Sequence, residues 1–166
     1  MNLHFISRKN LKKAPITLKG KKKKEKLAAG KGHSNLAYKL AYKAMNMKCD
    51  VAILMRDADN RAFKDVYNEI VSGFQAAGFE NGIPAVPVPK SEAWLICCLD
   101  TGRRSKIETC KEDMKQLLER LVVEKGLKNN IEAWKDIAKY CDLENVDSYS
   151  FKQYINDLKR ITLYLF

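Results

Sequence analysis

Val51-Ala52-Ile53-Leu54-Met55 is an unbroken apolar run that stops abruptly at Arg56-Asp57-Ala58-Asp59-Asn60. A strand with one wet face alternates apolar and polar side chains, whereas continuous apolarity suits a strand covered on both faces, as in a parallel sheet. An amphipathic helix follows, with Phe63, Val66, Ile70, Val71, Phe74 and Ala77 on one stripe and Gly78 placed to close it. Ile83 to Val88 reads as a second short strand, which Pro84 and Pro87 put near an edge. Ser91 is placed to cap a short apolar helix from Glu92 to Leu99. The order β-α-β-α with short connections predicts parallel strands and right-handed crossovers.

Upstream, Leu3-His4-Phe5-Ile6 suits a short strand, and Ser34 is placed to cap a helix whose face is Leu36, Leu40, Ala44 and Met47. Tyr38 and Tyr42 lie four residues apart beside Lys39 and Lys43. That spacing fits an aromatic and basic surface for nucleic acid, but the commoner role for such tyrosines is half-buried packing. From Arg103 onward the pattern is helical. Leu117, Leu118, Leu121 and Val122 make one face; Ile131, Trp134, Ile137 and Ala138 a second; Tyr154, Leu158, Ile161 and Leu165 a third. The expected architecture is α/β, a small parallel Toprim- or Rossmann-like sheet flanked by helices with a helical C-terminal part. At 166 residues the chain fits one domain. Within 1–166 we distinguish a basic segment (1–33), an α/β core (34–100) and a helical part (101–166).

The net charge is +11, and its distribution matters more than its size. Residues 1–48 hold 14 basic side chains against one acid, Glu25, while the rest of the chain holds 17 basic and 19 acidic ones. A basic segment beside a nearly neutral body is the footprint of a polyanion-binding face, though a solubilising basic arm has the same composition. Lys12, Lys13, Lys21, Lys22, Lys23, Lys24 and Lys31 are the residues expected to track a nucleic-acid backbone. No run approaches the roughly eighteen apolar residues that span a bilayer, and Met1 to Lys13 has no apolar segment behind a charged one. No membrane association is expected. Five cysteines without a C-x-x-C spacing suit reduced, packed thiols and a cytoplasmic location. With only His4 and His33, a structural zinc site has few ligands to draw on.

In open α/β sheets, ligands bind beyond the carboxyl ends of the strands. Asp57 and Asp59 lie at such an end. Residues two apart on an extended segment point to one side, so both carboxylates can reach one divalent cation. Mg²⁺ takes one or two carboxylates and completes its shell with water and substrate phosphates, which suits phosphodiester chemistry. The same residues also suit a turn that caps the next helix. Glu92, after the second strand, is expected on the same rim, where a favourable helix dipole would equally explain an acid. Asp100, at the unfavourable end of that helix, calls for a partner such as Arg103 or Arg104. Gly30-Lys31-Gly32-His33-Ser34 lacks the spacing of a phosphate-binding loop, and no histidine has a sequence argument for pairing with Cys97 or Cys98.

The strand ending in Asp57-Ala58-Asp59, the amphipathic helix, the Val-Pro strand and Glu92-Ala93-Trp94-Leu95 together resemble the Toprim-like domains of bacterial defence-associated proteins. These are related to the Toprim nuclease part of OLD-family nucleases. The resemblance covers Ser34 to Asp100. It implies a nuclease in which Asp57 and Asp59 bind Mg²⁺ (or Mn²⁺), with Glu92 as a further acidic site residue, and in many members an ATPase partner subunit. Toprim domains normally begin with a strand followed by a glutamate. Here the only acid before Asp50 is Glu25, inside a lysine run. The expected function is therefore Mg²⁺-dependent phosphodiester processing in antiviral defence. The alternative is a non-catalytic nucleic-acid-binding or adaptor subunit of an ATPase-linked complex.

Overall fold

The computed structural model describes His4, Ile6, Asn10, Leu11, residues 32–100 and residues 102–165. Leu3 and Phe5 lie outside the described residues, as do Lys12, Lys13, Lys21, Lys22, Lys23, Lys24 and Lys31; His4 and Ile6 are not in a strand. The described order is α1 (His33–Asn46), β1 (Ala52–Met55), α2 (Phe63–Ala76), β2 (Gly82–Ala85), α3 (Glu92–Leu99), α4 (Met114–Glu124), α5 (Ile131–Lys139) and α6 (Tyr149–Leu165). Short 3-10 turns at Arg104–Thr109 and Leu143–Asn145 link the later helices. The fold is mixed α/β, with β1 and β2 paired in parallel, Ala52 opposite Gly82 and Met55 opposite Ala85. Among the described residues no helix is long and apolar enough to cross a membrane.

Two apolar clusters build the interior. Leu36, Leu40, Leu54, Val66, Ile70 and Phe74 join α1, β1 and α2, and Leu11 docks on them from upstream. Ile96, Ile107, Leu117, Leu118, Val122 and Phe151 join α3, α4 and the start of α6. The chain at β2 bridges the two, with Ala85 in the second cluster and Val86 in the first. Each fully buried aliphatic side chain contributes about 1.5–3 kcal/mol, so the helical C-terminal part is a real share of the core.

The helices α1 and α2 cross at Gly73, where a Cβ would lie 2.2 Å from the Ser34 carbonyl oxygen. That approach corrects the expected role of Ser34. Gly32, at φ 71, takes the capping position, and Ser34 is buried inside the helix with its hydroxyl 3.5 Å from that of Ser72. Gly78 does close α2, at φ 69, where a side chain would be strained. Tyr38 is buried and touches Tyr42 at 4.8 Å, so it packs.

Three other expectations change. The strand β1 is not covered on both faces: Ala52 and Leu54 are buried, while Ile53 and Met55 are 42% and 50% exposed. Continuous apolarity shows that a strand tolerates cover on both faces, not that neighbouring elements supply it. In α5 only Ile137 is buried, and Ile131 is 68% exposed. Cys98 and Cys141 form a disulfide between α3 and the end of α5; Cys49, Cys97 and Cys110 are not in disulfides. Residues 43 apart carry no spacing signal for that contact.

Polar contacts fix α6. Ser148 Oγ and the Ser150 N–H both donate to Glu108 Oε1, at 2.6 and 2.7 Å. Asp157, 7% exposed, accepts from the Tyr67 hydroxyl at 2.7 Å and ties α6 to α2. Burial, and then this bond, push the Tyr67 hydroxyl up to about 12.

Candidate functional site

The parallel pairing continues past the strands and builds the rim. Arg56 N–H donates to the Ala85 carbonyl at 2.9 Å, and Ala58 N–H to the Pro87 carbonyl at 2.9 Å. At Asp59 the partner advances one extra residue, and its N–H donates to the Pro89 carbonyl at 2.8 Å. The Val88–Pro89 peptide is cis. Asp59 itself is left-handed, at φ 51, a conformation that aspartate tolerates better than most residues but not freely. The segment is thus not extended at Asp59, contrary to the geometry expected for residues two apart. Ala58, almost fully buried, pins the turn between the two acids.

The two acids differ in environment. Asp57 is half-buried and accepts the Ser91 N–H on Oδ1 at 3.0 Å; Asp59 is exposed. Ser91 stands at the start of α3 but makes no side-chain cap, so its expected capping role is replaced by this backbone bond to Asp57. Its hydroxyl lies 3.4 Å from Glu92 Oε2. Glu92 opens α3, near enough for its charge, like that of Asp59, to act on Asp57. Burial, foremost, with these two negative neighbours pushes the Asp57 carboxyl above its ordinary value, against the Ser91 bond and the Arg56 charge.

Arg56 and His33 belong to the same region. The Arg56 Nε donates to His33 Nδ1 at 3.2 Å, and the His33 backbone N–H bonds to Glu69, joining the start of α1 to the end of β1 and to α2. Arg61 is held away by Glu69 at 2.7 Å. At the far end of α3, Arg103 pairs with Asp100 at 3.0 Å, the kind of partner its position called for. Sequence reasoning missed Arg56, His33 and the Ser91 N–H. Arg56 could have been found as the residue before Asp57; a contact between residues 23 apart carried no signal.

Among the described residues, the charges that act on Asp57 are those of Asp59, Glu92 and Arg56, an excess of carboxylates that suits a divalent cation. The fit is to a largely hydrated ion. Asp57 has one oxygen committed to Ser91, and among the described residues no three His, Cys, Asp or Glu side chains come together as a metal-holding group. Mg²⁺ suits such a site because it keeps several waters and needs only one or two carboxylates. No family model, no curated protein and no solved structure matches this chain.

Proposed function

We propose that the rim of Asp57, Asp59 and Glu92 is a Mg²⁺- or Mn²⁺-dependent site that processes nucleic-acid phosphodiesters, in a Toprim-like protein of bacterial defence. One observation carries this reading. A half-buried carboxylate, Asp57, is fixed by a backbone N–H beside two more acids at the exit of parallel strands, with no cation paired to it among the described residues. Such an arrangement costs stability unless a ligand balances it. The basic first third of the sequence supports a polyanionic substrate.

In this reading the Asp57 and Asp59 carboxylates would hold the ion, which would supply charge stabilisation at the phosphoryl oxygens. Ser91 N–H keeps Asp57 in one orientation. Glu92 accepts the proton of the attacking water as the bond between phosphorus and the leaving oxygen breaks, and that oxygen takes a proton from solvent. An ATPase partner subunit is part of the proposal through the resemblance alone.

The reading of the chain as a non-catalytic binding or adaptor subunit draws on the same basic first third of the sequence, since phosphate contacts need only positive charge. A plasmid-nicking assay with Mg²⁺ and Mn²⁺ separates the two. The nuclease reading predicts metal-dependent nicking that disappears in Asp57→Ala. Nicking that persists in that variant overturns the assignment of the activity to Asp57, and binding without cleavage under either metal supports the second reading instead.

A further inference from the structure

We propose that the Cys98–Cys141 disulfide is a reversible redox latch, whose reduction releases α5 from α3 while the rest of the fold stays in place. The phosphodiester reading above plays no part in it. Little besides the bridge holds α5. Of its nine residues only Ile137 is buried; Ala133 and Trp134 are half-buried, and the other six are exposed. Among the described residues no hydrogen bond or ion pair joins α5 to another element. Its polar contacts are local: Asn130 Oδ1 accepts the Ala133 N–H at 2.9 Å, and Glu132 pairs with Lys135 at 2.8 Å. A helix of nine residues is too short to persist alone in water.

The partner helix differs. In α3, Ala93, Trp94, Ile96 and Cys97 are buried, and Trp94 Nε1 donates to Ser150 on α6. The bridge thus joins a helix that the core holds to one that it barely holds, so cutting it frees α5. Docking α5 also has a cost. Trp134 Nε1 is buried with no acceptor among the described residues, and water satisfies that donor once the helix leaves. Cys98 and Cys141 are both half-buried, which lets a thiolate approach. Cys49 and Cys110 are equally half-buried and not in disulfides, so the oxidised pair is the one that fastens α5. The reductant is a dithiol. One of its thiolates attacks a bridge sulfur and breaks the S–S bond; its second sulfur then attacks the first, freeing the remaining cysteine. Cys98 and Cys141 take up two electrons and two protons as thiols, and the dithiol leaves as its own disulfide.

The chain has two tryptophans, so their indole N–H resonances report α3 and α5 separately. The full chain, oxidised with glutathione disulfide, is treated with dithiothreitol in the absence of denaturant. Thiols are counted by quenching, unfolding, alkylation and intact mass, and hydrogen exchange is followed by nuclear magnetic resonance. The expected count is three modified cysteines before reduction and five after it. In the reduced chain the Trp134 indole N–H and the α5 amides should exchange at least about tenfold faster. The Trp94 indole and the amides of β1 and β2 should keep their rates, and glutathione disulfide should restore slow exchange at α5. The double variant Cys98→Ser with Cys141→Ser should exchange fast at α5 with or without reductant. Unchanged exchange at α5 after reduction overturns the proposal, as does a bridge that yields to dithiothreitol only in denaturant. Protection lost throughout the chain overturns it too, since the bridge then secures the whole fold, and so do five thiols in the oxidised sample.

Discussion

The backbone N–H of Ser91 donates to Asp57 Oδ1 at 3.0 Å, so the first residue before α3 fixes the first acid after β1. The two strand exits are locked together across 34 residues of sequence by a bond that either an aspartate or an asparagine can accept.

That equivalence gives the first prediction. Burial and the charges of Asp59 and Glu92 raise Asp57 above its ordinary value of 3.8. A raised carboxyl means that the native state holds its proton more tightly than the unfolded chain. Its stabilising contribution is therefore present at low pH and lost as pH rises through the raised value. At neutral pH the charged Asp57 is a cost. Asp57→Asn should raise Tm by about 1–4 °C near pH 7, a gain of up to about 1 kcal/mol. The difference should vanish as pH falls below the ordinary aspartate value, and thermal scans across that range check it.

Asp59→Gly relieves the left-handed backbone at φ 51 and should be more stable than Asp59→Asn by up to about 1 kcal/mol at every pH. Asp59→Asn keeps the side-chain constraint and should gain none of that. Denaturation of both variants separates strain from charge.

Gly73→Ala should destabilise by about 1–3 kcal/mol, because the new Cβ meets the Ser34 carbonyl at 2.2 Å and the helices α1 and α2 must part. Urea unfolding measures the loss.

Trp94, inside the Glu92-Ala93-Trp94-Leu95 segment, donates Nε1 to Ser150 Oγ at 2.9 Å and stacks on Tyr154 at 5.5 Å. Ser150→Ala leaves that buried N–H without its partner and should cost about 1–3 kcal/mol. Trp94→Phe combined with Ser150→Ala should cost less than the two separate losses added together, as a double-mutant cycle of unfolding free energies would show.

Cys98 and Cys141 close a loop of 43 residues. Cys141→Ser should lower stability by about 2–4 kcal/mol relative to the oxidised chain. Intact mass before and after reduction, followed by unfolding of both forms, checks the bridge and its effect.

The legible parts of the fold were those where local pattern and tertiary contact agree. The stripe Val66, Ile70 and Phe74 is buried, and Gly78 ends its helix. The parallel pairing of β1 with β2 followed from strand order alone. The misread parts depended on cover or on distant partners. Ile53 and Met55 are as apolar as Leu54, yet the face they share is open at β1. Ser34 and Ser91 sit where capping residues belong, but one is buried by the approach of Gly73 and the other gives its N–H to Asp57. At the site, the acids were visible as Asp-x-Asp after an apolar run. Their inequality was not, since the buried Ala58, the turn at Asp59 and the proximity of Glu92 arise only when the two strand exits meet.

The proposed function requires that Asp57 and Asp59 hold a divalent cation. The most direct measurement is electron paramagnetic resonance of free Mn²⁺ titrated with the full chain. The account predicts saturable loss of the free-ion signal with wild-type protein, competed by Mg²⁺, and binding weakened by at least about tenfold in Asp57→Asn. Equal binding by wild type and Asp57→Asn, or no binding by either, would contradict it.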